Sequence, residues 1–130
     1  MAADLAEAIA LVNGDPEPKK LLFSRRDDVT LANPVGRVPA RGWAQVEQTL
    51  VSAASRYRDG DPIAFERVAE YATADLAYIV EIERWRARPD GADRIESGVL
   101  RATTIFRREE GGWRIAHRHA DSLAPASPSG

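Results

Sequence analysis

Apolar residues recur at helical spacing in the N-terminal half of the chain. Leu5, Ile9 and Val12 predict a helix over Asp4–Val12, because residues three or four positions apart share one helix face. A longer amphipathic pattern predicts a second helix over Trp43–Arg58. Two shorter elements are expected between them, a helix or turn at Lys19–Phe23 and a strand at Val29–Ala32.

In the C-terminal half, apolar and polar residues alternate with the period of two that is typical of strands. The clearest case places Ile79, Glu81, Glu83 and Trp85 on one strand face, because successive side chains point to opposite faces. A turn at Glu109–Gly112 predicts a hairpin between the last two strands. The strands are expected at Ile63–Tyr71, Leu76–Arg86, Val99–Arg108 and Trp113–Ala120.

Helices followed by a run of antiparallel strands predict an α+β fold, with the helices packed on one side of a curved sheet. Such a sheet leaves an open end in which a pocket can form. The chain has 130 residues, which is the size of one domain. We expect that domain to span residues 1–123 and a disordered tail to follow at 124–130, which holds two prolines and two serines.

Composition excludes several classes of function. The net charge is −2 and the pI about 5.7, so no basic field would attract nucleic acid or an anionic membrane. The chain has no cysteine, which excludes disulfides, thiol nucleophiles and zinc fingers. No apolar run is long enough to span a bilayer and the first residues are acidic, so we expect a cytoplasmic protein. Phosphate-binding loops and hydrolase motifs are missing, and we expect neither a cofactor nor a bound metal.

Three short segments and the last hairpin resemble a known superfamily. The segments are Leu22–Ser24, Asp27–Thr30 and Asn33–Gly36, and the hairpin Phe106–His119 has a charged turn, a tryptophan opening the last strand and a His-x-His. With the order of elements, they resemble the nuclear-transport-factor-2-like superfamily, and within it the SnoaL-like polyketide-cyclase and ketosteroid-isomerase branches. The resemblance implies a cone-shaped fold, in which a curved mixed or antiparallel sheet wraps around N-terminal helices and an internal pocket.

The resemblance also bears on catalysis, because ketosteroid isomerases place a general-base aspartate immediately before a Pro-Val-Gly-like turn. That position is Asn33 here, and an asparagine cannot accept a proton at neutral pH. The protonated aspartate of the family falls at or near Thr103, whose hydroxyl can still donate a hydrogen bond. The tyrosine of the family's first helix falls near Glu7. Steroid isomerisation by the family mechanism is therefore not expected.

The same resemblance assigns one face of each strand to the pocket. We expect Glu81 or Glu83 to transfer protons there, because paired carboxylates in a cavity are typical of acid–base chemistry. The substrate-binding residues are expected to be Asn33 and Thr103 as hydrogen-bond donors, Arg101 and Arg118 as partners of a carbonyl-bearing or anionic ligand, and Trp85 as a wall. His119 joins this set if it reaches the pocket. The alternative is that these residues have no catalytic role and form either a salt-bridge cluster at the cone mouth or a strand surface that faces solvent.

The two histidines share the opposite strand face. The resemblance implies that this outer surface, with His117 and His119, forms a homodimer interface. Alternatively, His119 and Asp121 reach the pocket around the curved strand end, or the His-x-His joins a carboxylate in a metal site.

Two functions follow from these residues. The first is a cofactor-free enzyme of the isomerase, cyclase, dehydratase or hydrolase type that acts on a small organic molecule. The alternative is a non-catalytic ligand-binding or assembly module, similar to the hub domain of calmodulin-dependent kinase. The change at all three isomerase positions favours this alternative.

Overall fold

The computed structural model describes residues 3–14, 16–33, 38–89 and 96–123. Helices come first and long strands follow, as the sequence predicts. The elements are α1 (Ala3–Val12), α2 (Pro16–Leu22), β1 (Thr30–Ala32), β2 (Ala40–Arg41), α3 (Trp43–Arg56), β3 (Tyr57–Ala72), β4 (Leu76–Pro89), β5 (Glu96–Glu109) and β6 (Gly112–Ser122). None of the described helices combines the length and the apolar character needed to cross a membrane. The tail predicted at 124–130 lies outside the described residues.

The junction between α3 and β3 differs from the prediction. The sequence pattern predicts a helix to Arg58, but the helix ends at Arg56 and β3 begins at the next residue. The pairing of β3 with β4 shifts register between Arg58 and Asp61 and again between Pro62 and Ala64. Residues 59–62, which include a glycine and a proline, are therefore part of the strand. Such bulges let a strand absorb a proline and extra residues on its exposed edge.

The strands form one six-stranded sheet in the order β2-β1-β6-β5-β4-β3. Neighbouring strands are antiparallel except β1 and β6, which pair in parallel, so the sheet is mixed, curved and unclosed. The predicted hairpin turn joins β5 to β6 through Gly111 and Gly112, whose φ angles are 86° and 130°. Only glycine adopts such angles without strain, so these residues allow the sharp reversal.

The core lies between the helices and one face of the sheet, which we call the inner face. Leu5, Ile9 and Val12 cover it from α1, and Val46 covers it from α3. On the sheet, the same core cluster includes the buried side chains of Ala77, Ile79, Phe106 and Ile115. The helical spacing of the α1 residues therefore predicts correctly which side of that helix is buried.

The pairing of β5 with β4 shows that the face of β5 predicted to point inward is in fact the outer face. Antiparallel partners share a sheet face, and Glu81 lies opposite Ala102 while Ile79 lies opposite Thr104. The inner residues of β5 are therefore Ala102, Thr104 and Phe106, all of which are buried. The prediction that Arg101 and Thr103 face inward is wrong, because both residues alternate with the buried set and occupy the outer face.

A bulge in β6 decides which residues of that strand face inward. Ile105 pairs with His117, but the next residue, Phe106, pairs with Ile115, so Ala116 is an extra residue in β6. Because of this insertion, Ile115 and Arg118 both lie on the inner face and both are buried. His117 and His119 are thereby turned to the outer face, as the sequence predicts.

Candidate functional site

Two carboxylates are buried side by side on the inner face of β4. Glu81 is 1% exposed and Glu83 is 8% exposed, and the two-residue spacing keeps both on that face. Burying an ionised carboxylate is costly unless other groups compensate its charge and its hydrogen-bonding capacity. The partners of each carboxylate therefore decide what it can do.

Glu83 is fully engaged by Arg118 from β6. Arg118 Nη2 donates to both carboxylate oxygens of Glu83, at 2.8 and 2.9 Å, and Nη1 donates to Thr104 Oγ1 at 2.9 Å. All three residues are buried. Charge-assisted contacts to both oxygens at these distances are strong, so Glu83 and Arg118 hold each other in place.

Glu81 accepts hydrogen bonds through one of its two carboxylate oxygens. Its Oε2 accepts from Asn13 Nδ2 at 3.0 Å and from Arg67 Nε at 3.0 Å. Arg67 also pairs with the exposed carboxylate of Glu70, at 3.1 Å. The second oxygen, Glu81 Oε1, is buried and has no hydrogen-bond partner in the described part of the chain. A buried acceptor without a partner is rare in folded proteins, and a catalytic role is one of the explanations for such a group.

Lys19, on α2, lies within the range over which the charges of Arg118 and Glu83 act on it. Burial is the main cause that lowers the pKa of Lys19 to about 8, and the nearby charge of Arg118 lowers it further. The carboxylate of Glu83 opposes this effect. A larger fraction of Lys19 than of an ordinary lysine is therefore in the neutral amine form near neutral pH. We call Glu81, Glu83, Arg118 and Thr104, with Asn13, Arg67 and Lys19, the inner-face cluster.

Trp85 lies on the same face of β4, beyond Glu83. Its ring packs against Gly98, which is its register partner on β5. A Cβ atom at position 98 would come within 2.5 Å of the Trp85 ring. The absence of a side chain at Gly98 therefore creates the space that the indole occupies.

Three residues predicted for the site lie elsewhere. Arg101 is exposed and pairs with Asp121, with Nε 3.0 Å from Oδ1, and this pairing lowers the pKa of Asp121. Thr103 and His119 are register partners on the outer face. The inward placement of Arg101 and Thr103 and the alternative in which His119 and Asp121 reach the pocket are therefore wrong, because strand parity carries these side chains away from the inner face.

Asn33 and His117, the remaining residues considered for the site or the interface, lie next to β1. Asn33 is half-buried and follows β1 directly, while the rest of the predicted turn, 34–36, lies outside the described residues. His117 Nδ1 is 2.7 Å from the hydroxyl of Thr30, its register partner on β1. Burial, and secondarily the proximity of His119, lowers the pKa of His117. Over the described ranges, no three His, Asp or Glu side chains form a group suited to a metal ion.

The sequence reasoning missed Asn13, Lys19, Arg67 and Thr104. Asn13 is 68 residues from Glu81 along the chain, so no local pattern connects them. Lys19 did carry a signal, since it lies one helical turn before the buried Leu22 and so falls on the same helix side.

Comparison with known proteins identifies the family and the fold. The model of the SnoaL-like domain family matches residues 8–125. The comparison with curated proteins finds no match.

Solved structures share the fold at low sequence identity. One is from Streptomyces avermitilis and is named as an inferred dehydratase of the NTF2-like family, with TM-score 0.77, 18% identity and 94% and 96% of the two chains covered. A ketosteroid isomerase-like protein from Erwinia carotovora atroseptica has TM-score 0.73 and 18% identity over 95% and 93% of the chains. A protein from Thiobacillus denitrificans, named as an inferred association domain of calcium/calmodulin-dependent protein kinase type II, has TM-score 0.68 and 24% identity over 92% and 94%.

Proposed function

Because the chain belongs to the SnoaL-like domain family, we propose that it is an acid–base enzyme that acts on a small organic molecule at the inner-face cluster. The reaction is of the isomerase, cyclase, dehydratase or hydrolase type and uses no cofactor. One observation carries the proposal, namely that Glu81 is buried and one of its oxygens has no partner in the described part of the chain. A carboxylate whose direction is fixed and whose second oxygen has no hydrogen-bond partner is suited to accept a proton from a bound ligand.

The two glutamates have different roles in this proposal. Glu81 transfers the proton, and Asn13 and Arg67 hold its other oxygen so that the open one keeps a constant direction. Glu83 does not transfer protons, because Arg118 occupies both of its oxygens. It acts instead as a positioning residue for Arg118.

The cations of the cluster complete the proposed chemistry. When Glu81 takes a proton from a carbon beside a carbonyl group, the C–H electron pair moves toward the carbonyl oxygen, which becomes negative. Arg118 and Lys19 together place two cations against the single carboxylate of Glu83, so the cluster can stabilise that charge. Trp85 supplies an apolar wall. Steroid isomerisation by the ketosteroid isomerase mechanism is not proposed, because the resemblance places Asn33 where those enzymes have their general base.

Hydrogen exchange in D₂O tests the proposal without knowledge of the natural substrate. The wild-type protein is incubated with cyclohexanone, 2-tetralone or acetophenone, and loss of the signals from protons beside the carbonyl is followed by ¹H NMR. We expect exchange above the buffer rate for at least one ketone and a loss of about 10²-fold in Glu81→Gln.

The matched control for this assay is Glu70→Gln. Glu70 shares Arg67 with Glu81 but is exposed, so its replacement should leave the exchange rate unchanged. The proposal is contradicted if no ketone exchanges faster than in buffer, or if both variants match the wild type.

A second candidate function is an assembly module, and the outer sheet face favours it. Tyr71, Leu76 and Tyr78 are 40–53% exposed, and the ring centroids of Tyr71 and Tyr78 are 6.0 Å apart in a stacked arrangement. Exposed apolar patches on a sheet are typical of protein interfaces. The similarity to the inferred kinase association domain agrees with a homodimer or larger assembly, but rests on the fold alone. Sedimentation equilibrium of the wild type and of Tyr78→Glu would show a dimer that the variant loses, whereas a monomeric wild type would exclude this function.

A further inference from the structure

Two bonded side chains of the inner-face cluster each carry a buried oxygen that accepts no hydrogen bond. These atoms are Glu81 Oε1 and Asn13 Oδ1, and neither has a partner among the residues that the structure describes. We call them the two open oxygens. An amide oxygen and an ionised carboxylate oxygen are acceptors, so a group that complements both must bring its own hydrogen atoms. A plain ketone, whose polar atom is itself an acceptor, leaves Asn13 Oδ1 without a partner.

The direction of the Asn13 amide is fixed at both ends of the residue. Asn13 Nδ2 donates to Glu81 Oε2 at 3.0 Å, and a reversed amide would place two acceptors against each other. The backbone N–H of Asn13 donates to the carbonyl of Ile9 at 3.1 Å, at the end of α1. Arg67 Nε donates to the same oxygen of Glu81 at 3.0 Å. The two open oxygens are therefore held in a constant relation to each other.

Covalent geometry places the open oxygens within reach of one small functional group. The two polar atoms of an amide are about 2.2 Å apart, as are those of a carboxylate, so the 3.0 Å bond between the side chains limits the separation of Asn13 Oδ1 from Glu81 Oε1 to about 7.5 Å. A carbon about 3–3.5 Å from one oxygen, carrying a hydroxyl about 2.8 Å from the other, spans a similar distance. One H–C–O–H unit can therefore meet both open oxygens.

The charges of the cluster favour a neutral donor over a cationic one. Each buried carboxylate is already paired with a guanidinium, Glu83 with Arg118 at 2.8 Å and Glu81 with Arg67 at 3.0 Å. An ammonium group on the ligand would be repelled by both guanidinium groups and would lose its hydration on burial. A hydroxyl group donates one hydrogen bond and brings no charge.

We propose that the substrate is an α-hydroxy ketone or α-hydroxy aldehyde, whose hydroxyl donates to Asn13 Oδ1 while Glu81 Oε1 takes the proton from the carbon that bears this hydroxyl. The inference deepens the proposed function and rests on it, because Glu81 is the base in both. The C–H bond breaks and its electron pair forms a C=C bond, while the π pair of the carbonyl group moves to its oxygen. The product of this step is an enediolate.

Return of the proton completes an isomerisation. Glu81 gives the proton to the former carbonyl carbon, and the hydroxyl proton passes through solvent to the former carbonyl oxygen, which yields the isomeric hydroxy carbonyl compound. The two carbons exchange oxidation levels within the molecule, so no external oxidant or reductant enters. Glu83 lies two residues from Glu81 on the same face, about 7 Å along the strand. The Arg118 guanidinium that Glu83 holds can therefore stabilise the negative oxygen of the enediolate.

Binding of three matched compounds tests the inference in the full-length protein. The chain has two asparagines, Asn13 and Asn33, so ¹⁵N-asparagine labelling gives two side-chain NH₂ groups, and Asn33, next to β1, is the internal reference. The protein is titrated with α-hydroxyacetophenone, α-methoxyacetophenone and acetophenone. The ether is larger than the hydroxy compound and acetophenone is smaller, so size alone cannot explain a preference for the hydroxyl. We expect the Asn13 signal to shift, with a Kd for the hydroxy compound about tenfold below the other two.

Hydrogen exchange measures the same preference during reaction. In D₂O, the protons beside the carbonyl group should exchange about tenfold faster in the hydroxy compound than in its ether, each rate being divided by the rate in buffer alone. Asn13→Leu should slow both compounds, because Glu81 loses a partner, but should bring their ratio close to one. Glu70→Gln is the control, since it removes a partner of Arg67 without touching Asn13, and it should keep the ratio. If Asn13→Leu does not fold, the three compounds on the wild type still decide the question.

The outcomes separate this inference from the proposed function. Equal Kd values, tighter binding of the ether or of acetophenone, or a shift absent from Asn13 would overturn the inference. If the Asn13 signal shows the preference but Glu81→Gln exchanges as the wild type does, the hydroxyl subsite stands and Glu81 is not the base. If Glu81→Gln loses exchange while the wild type treats the hydroxy compound and its ether alike, Glu81 is the base and the hydroxyl subsite is excluded.

Discussion

Arg118 donates to both carboxylate oxygens of Glu83, at 2.8 and 2.9 Å, and both side chains are buried. Two residues earlier on the same strand, Glu81 has one oxygen bound and one without a partner in the described part of the chain. The two carboxylates therefore share a strand face but differ in what they can do. This difference is the basis for assigning proton transfer to Glu81 and a positioning role to Glu83.

Removing Arg118 should be strongly destabilising. In Arg118→Met the carboxylate of Glu83 stays buried without its partner, and we expect a loss of about 3–5 kcal/mol in the free energy of unfolding. Urea unfolding followed by circular dichroism measures this loss. The matched control is Arg101→Met. Arg101 also binds both carboxylate oxygens of its partner, Asp121, but at an exposed position, so this variant should have little effect. Similar losses of unfolding free energy in the two variants would show that the contribution of the Arg118–Glu83 pair to stability does not depend on its burial.

Replacing Lys19 should stabilise the fold in a pH-dependent way. The pKa of Lys19 is lowered from its ordinary value of 10.5 to about 8, so the unfolded chain binds a proton that the folded chain releases between these values. Wild-type stability should therefore rise as the pH increases from 8 toward 10.5. Lys19→Met removes the cost of the half-buried ammonium and should gain about 1–3 kcal/mol at pH 7. That gain should shrink above pH 8, and a gain independent of pH would contradict the account.

His117 should titrate below its ordinary pKa of 6.5, mainly because burial disfavours the imidazolium. Between the folded value and 6.5, the unfolded chain binds more protons than the folded chain, so stability should fall as the pH drops through this window. The C2 proton of His117 in an NMR titration gives the midpoint, and His117→Gln assigns the signal. In that variant the fall in stability over this pH range should be smaller. A midpoint at or above 6.5 would argue against the burial of His117 beside Thr30.

Gly98→Ala should disturb the wall formed by Trp85. The added Cβ would lie 2.5 Å from the Trp85 ring, so the indole must move. We expect a loss of about 1–3 kcal/mol in the free energy of unfolding and a shift in tryptophan fluorescence. Gly14→Ala is the control, because a Cβ there meets its nearest atom at an ordinary 3.4 Å. If both variants are equally stable, Trp85 does not pack on Gly98.

The sequence predicts the fold and half of the site because those features depend on local patterns. Alternation along β4 places Glu81 and Glu83 on one face, and the glycines at 111 and 112 mark the hairpin. Local patterns do not predict which face of β5 is buried, because apolar side chains occur on both of its faces. Ile105 is as apolar as Phe106, so the periodicity does not choose between them.

The remaining contacts of the site depend on tertiary structure. The bulge at Ala116 has no sequence signature, yet it places both Ile115 and Arg118 on the inner face. Asn13 and Arg67 reach Glu81 only after the helices pack on the sheet and β3 pairs with β4. Such contacts between residues distant in the chain leave no periodic trace, so the partners that distinguish Glu81 from Glu83 follow only from the structure.

The most direct test of the central claim is a crystal structure of the protein with cyclohexanone. The account predicts the ketone at the inner-face cluster, with a carbon beside the carbonyl about 3–3.5 Å from Glu81 Oε1. Its carbonyl oxygen should point toward Arg118. A cone filled by protein side chains, or a ketone bound only on the outer face, would contradict the account and leave the assembly module as the better explanation.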